Sequence, residues 1–245
     1  VDEAAPLFLY IGEKDPDSTH FLERNGLHDG KLYVWVADRG ITSPAEFNGD
    51  GEKLWGSWRE VDNSPRLDMA TDDGSTGYDE YGYPTQRNLW AQAEDLGAFG
   101  FSRPEDVATN PANGRQAVMA STGVDDYLID PETGNGVDTF GTVYIIDTRL
   151  PSKRTKLTIL YDGDADPTRA LRSPDNLDWA DDGFIYVQED EAEEDTASGD
   201  EVLFGEDAAN PDEAGIVRLH PRNGAVTKIA EIDRDVVLDA SPLLS

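Results

Sequence analysis

Two short segments place acidic side chains where they could do chemistry. Phe101-Ser102-Arg103-Pro104-Glu105-Asp106-Val107 and Ser173-Pro174-Asp175-Asn176-Leu177-Asp178-Trp179 each set a proline and acidic or amide residues just ahead of an apolar alternation. The second continues through Tyr186-Val187-Gln188-Glu189-Asp190. Proline fixes φ, so the carboxylates that follow it are aimed by a stiff backbone. A β-sheet blade that opens this way points polar groups toward a central axis. Carboxylate and amide oxygens that converge from several blades are what a hard cation such as Ca2+ takes, roughly six to eight of them.

The same residues have plainer uses. Glu105 and Asp106 can accept backbone amides where a blade begins, and Asp175 or Asn176 can cap its own backbone in a turn. Glu189 and Asp190 head an acidic run that reaches Asp195, which a solvated face would also explain. In a strand, only one of two adjacent side chains can point inward. His20, His28 and His220 lack zinc-like spacing. No serine nucleophile elbow, phosphate-cradling glycine loop or dinucleotide fingerprint occurs. The five tryptophans alternate with Val and Leu, which favours packing over ligand stacking.

Charge narrows the partners. With 51 acidic against 20 basic residues, the net charge is −31 over 245 residues. Nucleic acid and anionic lipid are poor partners for such a field, and no nucleic-acid partner is expected. The acids are spread along the chain, aspartate exceeds glutamate, and lysine occurs only at Lys14, Lys31, Lys53, Lys153, Lys156 and Lys228. Short hydrated carboxylates with few long ammonium stems suit a halophilic protein, because salt screens the self-repulsion. Cysteine is absent, which rules out disulfides, thiolate metal sites and a cysteine nucleophile. No apolar stretch is long enough for membrane insertion, and residues 1–5 lack the character of a signal peptide.

The elements that must carry these acids read as strands. Runs at 7–12, 31–37, 53–61, 116–122, 141–147, 156–161, 183–188, 215–219 and 225–232 are rich in Val, Ile, Tyr and Trp and are punctuated by Gly, Pro, Asn and Asp. Asn113-Gly114, Asp182-Gly183 and Asn223-Gly224 supply hairpin turns. One helix is expected over 85–96, where Leu89, Trp90, Ala93 and Leu96 share a face. The expected fold class is all-β: one β-propeller domain over 1–245, with loop insertions at 63–83 and 191–213. Blade starts near Leu7, Arg103, Gly141, Pro174 and Gly215 would recur about every forty residues, giving about four to five blades.

On these residues the chain resembles the PhoX-type alkaline phosphatase family of six-bladed, calcium-dependent β-propellers. The resemblance rests on Leu9-Tyr10-Ile11-Gly12-Glu13-Lys14, Leu22 to Leu27 with Gly30 to Val34, Arg103-Pro104-Glu105-Asp106, and Asp175-Asn176-Leu177 with Glu189-Asp190. It implies hydrolysis of a small phosphorylated substrate at an axial calcium–carboxylate site, and an extracellular or periplasmic location. Glu105 and Glu189 look like metal ligands, with Asp106, Asp175, Asp190 and Glu13 beside them. Arg103 and Lys14 would meet phosphate. Characterised members also hold Fe3+ through a cysteine, which this chain lacks, so calcium alone is expected. The family's late Trp-Glu-containing motif has no counterpart in this sequence, so the resemblance implies further propeller segments from a longer parent chain. Two other functions fit the same residues: a non-catalytic, calcium-stabilised surface or assembly propeller, and a lactonase-like calcium propeller hydrolase.

Overall fold

Alternating apolar and polar residues between Gly- and Asn-rich turns pair as antiparallel ladders, the geometry that period-two patterning favours. The computed structural model describes residues 5–13, 28–123, 138–149, 152–166, 168–190, 208–233 and 236. In chain order these form β1 (Ala5–Pro6), β2 (Phe8–Glu13), β3 (His28–Ala37) and β4 (Lys53–Val61), then helix α1 (Gln86–Asp95). β5 (Gly100–Phe101), β6 (Pro104–Thr109), β7 (Gln116–Ser121), β8 (Thr142–Arg149) and β9 (Arg154–Asp162) follow. The last four are β10 (Pro174–Trp179), β11 (Ile185–Glu189), β12 (Gly215–Leu219) and β13 (Val226–Glu231).

Two four-stranded meanders repeat the same plan. β6 to β9 form one, and β10 to β13 the other. β2, β3 and β4 make a third, three-stranded unit, and β4 pairs antiparallel with β9, so that seven strands share one curled sheet. Two expected blade starts are corrected by this topology. Gly141 leads into β8 and Gly215 begins β12, each the third strand of a meander that opened at Pro104 or Pro174. The repeat is therefore longer than the spacing of apolar runs suggests, because each hairpin within a blade imitates a blade start.

The middle meander is buried on both faces. Val118, Ala120, Val143, Ile145 and Leu160 pack against Leu177, Trp179, Ile185, Val187 and Leu219 of the following meander. Their neighbours in sequence, Met119, Tyr144, Ile146 and Ile159, pack with Trp35, Leu54, Phe99 and Phe101 on the other side. A strand covered on both faces reads as a continuous apolar run, which is what Val143-Tyr144-Ile145-Ile146 is. Gly56 is required where it stands, because a Cβ there would meet the Trp35 ring at 2.6 Å and the Val36 carbonyl at 2.5 Å.

The expected helix forms as α1. Thr85 caps it by accepting from the Asn88 amide, and Gly97, at φ +71°, ends it. Ala93 and Leu89 lay its apolar face over Val34 and Val61. The loop 63–83 is held by Asp79, whose Oδ1 accepts from the amides of Tyr81 and Tyr83. Of the acidic insertion, 191–207 lies outside the described residues.

Candidate functional site

The two acid-bearing segments open their meanders with one backbone device. Arg103 (φ +53°) and Ser173 (φ +43°) sit in the left-handed region immediately before Pro104 and Pro174. Such a pose costs a non-glycine residue on the order of 1 kcal/mol and persists only where packing over-determines it. In both strands the ladder then slips: Pro104 faces Ser121 and Val107 faces Met119, just as Pro174 faces Glu189 and Leu177 faces Val187. The extra residue is a β-bulge, which re-aims Glu105 and Asp106 in one blade and Asp175 and Asn176 in the other.

These bulges converge on Arg103. Its Nη2 donates to Asp190 Oδ2 at 2.9 Å, and its Nε lies 3.8 Å from Glu105 Oε1. Asp106 Oδ2 crosses between blades to accept from the Leu177 amide at 2.9 Å, and Asn176 donates to Asp175 Oδ2 at 2.7 Å. The Asp190 amide donates to the Ser173 carbonyl, which ties the far end of β11 to the second opening. Burial pushes the Asp175 carboxyl up from the usual range. The negative charges of Asp190 and Asp106 add to that, and the Arg103 guanidinium opposes it. Among the described residues, the carboxylates of Glu105, Asp106, Asp175 and Asp190 thus share one neighbourhood with the Arg103 guanidinium.

Glu189 does not join them. It is buried while Asp190, its neighbour, is exposed. Glu189 Oε1 accepts from the Arg172 amide at 2.8 Å and Oε2 from the Gly215 amide at 2.9 Å, with Arg172 Nε 3.6 Å from Oε1. Burial raises its carboxyl above the ordinary range against the pull of Arg172 and Lys228. Arg172, itself buried, donates Nη1 to the Asn210 carbonyl at 2.7 Å and Nη2 to the Asp212 carbonyl at 3.0 Å. Of the adjacent acids, Asp190 therefore meets Arg103, and Glu189 fastens β11 to β12 and to the return from the acidic insertion. Glu13 has its backbone in β2 opposite His28, but its side chain lies outside what is described, as does Lys14 altogether.

Among the described residues, no three His, Cys, Asp or Glu side chains are grouped so as to hold a metal ion as they stand. Their acids surround Arg103 instead. The residue types fit a hard cation, since every donor is a carboxylate or amide oxygen and Asp175 sits in an excess of negative charge. Two participants carried no signal of their own in the sequence. Arg172 could have been found by aligning the two openings, where it stands opposite Ser102; Asp138, buried beneath Ser102, has no such counterpart. Among the described residues, no helix is long and apolar enough to cross a membrane.

Comparison with known proteins agrees with this architecture. The family model described as "Alkaline phosphatase PhoX" matches residues 9–234. A solved structure of Pseudomonas fluorescens PhoX in complex with vanadate, a transition state analogue, superposes with a TM-score of 0.54 at 18% identity. The overlap covers 93% of this chain and 42% of that one, so this chain spans less than half of its structural relative. The likeness bears out the expected all-β propeller fold. No curated protein matches the chain.

Proposed function

Since the chain belongs to the PhoX alkaline phosphatase family, we propose that it is the part of a propeller phosphatase that binds a phosphomonoester for hydrolysis, with Arg103 as the phosphate clamp. The observation that carries this is the placing of Arg103, half exposed between carboxylates of two blades. A planar guanidinium held by partly solvated ion pairs is free to exchange them for a phosphate, which it grips in two-pronged fashion.

Glu105, Asp106, Asp175 and Asp190 would hold a divalent cation, with calcium preferred for their all-oxygen chemistry. Bound there, such an ion neutralises phosphate oxygens and makes phosphorus easier to attack. The chain's own residues would orient and bind: Arg103 would exchange its Asp190 contact for the substrate phosphate, and Asp190 would be one of the carboxylates that hold the cation. Fe3+ is not proposed, because no thiolate is present to hold it. Lys14 and Glu13 are candidate partners from the first blade, and further blades of a longer parent chain would complete the pore. An extracellular or periplasmic, saline setting accords with the −31 charge.

A second function is favoured by a specific feature. The contacts Arg103–Asp190, Asp106 to the Leu177 amide, and Thr122 Oγ1 to the Pro174 carbonyl at 3.0 Å all join the two openings. Such stitching suits a calcium-stabilised, non-catalytic propeller equally well. Turnover of a chromogenic phosphomonoester with calcium, with calcium plus iron, and with chelator separates the two. Activity lost to chelator and to Arg103→Ala supports the phosphatase; calcium binding without turnover under any condition supports the structural role.

A further inference from the structure

Beneath the Arg103 opening lies a polar group that the phosphatase chemistry leaves unused. Asp138 is 1% exposed. Its Oδ1 accepts from the Thr142 hydroxyl at 2.9 Å, whereas its Oδ2 has no partner. Ser102 Oγ and Tyr144 Oη, both buried, also lack partners. Ser102 is otherwise immobilised, because its carbonyl accepts from Ser121 Oγ at 2.7 Å and from the Gly123 amide at 3.1 Å.

The turn that carries Asp138 is wedged between the two openings. Gly141, at φ +76°, leaves no room for a Cβ, which would meet the Thr122 carbonyl at 2.4 Å and Pro174 Cδ at 2.6 Å. The Phe140 carbonyl accepts from the Ser173 amide. Asp164 holds the turn from behind by accepting from the Thr139 and Phe140 amides, each at 3.0 Å. Gly123, whose amide donates to the Ser102 carbonyl, lies so close to the Asp138 carbonyl that a Cβ there would meet it at 2.5 Å, so the turn packs on the segment that holds Ser102, the residue before Arg103.

We propose that Asp138 is a positioning residue for Arg103: seated under Ser102, its carboxyl holds the first blade opening in the pose that presents the guanidinium, and releases it on ionising. The inference rests on Arg103 being the phosphate clamp only for its functional consequence. Burial, more than any other influence, pushes the Asp138 carboxyl up to about 8, and the charges of Asp164 and Asp162 push the same way. The hydroxyls of Thr142 and Ser102 oppose this, although the Ser102 contact falls short of a formed hydrogen bond. Tyr144, the other titratable group beside it, is itself raised and stays neutral. Among the described residues, the leading influences on Asp138 include no basic group. At neutral pH the acid is therefore uncharged, and its proton can be donated from Oδ2 to Ser102 Oγ, which satisfies two orphan atoms at once.

Nitrogen-15 NMR of the Arg103 Nε and the Ser102 amide between pH 5 and 10 tests this in the intact chain, beside the pH profile of kcat/KM. The native protein should show one step in both resonances with a midpoint near the Asp138 value of about 8, and a matching limb in the profile. Asp138→Asn, neutral and of the same shape, should abolish the step. Ser102→Ala should keep a titration visible at the Thr142 amide while uncoupling Arg103. A step that persists in Asp138→Asn, or no step in the native protein, overturns the proposal. Resonances that step as expected in a protein without phosphatase activity would sink the clamp and leave the positioning role standing.

Discussion

The two blade openings share a backbone and differ in what locks it. At the first, small neutral groups meet: Ser121 Oγ donates to the Ser102 carbonyl, and Thr122 reaches the next blade. At the second, the matching positions hold Arg172, Glu189 and Asp190, and a buried ion pair replaces the hydroxyl contact. A hydroxyl lock desolvates little and leaves Arg103 partly free. An ion-pair lock must repay a desolvation cost through geometry, and it does so with the Arg172 and Gly215 amides and two carbonyls. The lesson is that a carboxylate in the right repeat position can be spent on structure while its neighbour stays available for chemistry.

Breaking the ion-pair lock should have the largest effect. Glu189→Ala strands a buried guanidinium and should destabilise by about 3–5 kcal/mol in urea titration. Were it to cost no more than a surface substitution, the contrast between the openings would fail. Calcium comes next: at about a hundredfold excess over Kd a bound ion adds about 2.7 kcal/mol, read as a rise in Tm. Asp175→Asn should lose most of that rise, and Glu189→Gln should keep it. Ser121→Ala, which breaks the hydroxyl lock, should cost about 1 kcal/mol. Arg103→Ala should change stability by less than about 1 kcal/mol, because its ion pairs are half solvated, while removing phosphate binding.

The pH dependence sharpens the same contrast. The Glu189 carboxyl is raised in the folded chain, so the folded state holds its proton more tightly than the unfolded state. Its contribution is complete below the unfolded value of 4.5 and is lost as pH climbs through the raised folded value. Glu189→Gln should flatten that decline in denaturation midpoints; Asp190→Asn, at the exposed neighbour, should leave it in place.

Much of this was legible in residue order. Strand positions, the cap at Thr85, and the kinship of the Pro104 and Pro174 segments all follow from periodicity and turn chemistry acting over a few residues. The blade frame was not. Gly141 and Gly215 carry the same local signals as true starts, and only ladder pairing reveals them as third strands. Choosing between Glu189 and Asp190 was equally beyond reach, because both suit a strand end and the choice depends on which faces inward. Asp138 gave no sign, since an isolated acid ahead of Thr139-Phe140-Gly141 looks like any loop residue.

From composition and order alone came an acidic, cysteine-free, all-β chain with two proline-led clusters of carboxylates. These properties are local, set by side-chain chemistry and by alternation along a strand. Tertiary structure decided that Asp190 and not Glu189 meets Arg103, that β4 closes onto β9, and that Asp138 lies under Ser102. Each depends on segments far apart in the chain reaching one place, where burial and neighbouring charge settle what a carboxyl can do.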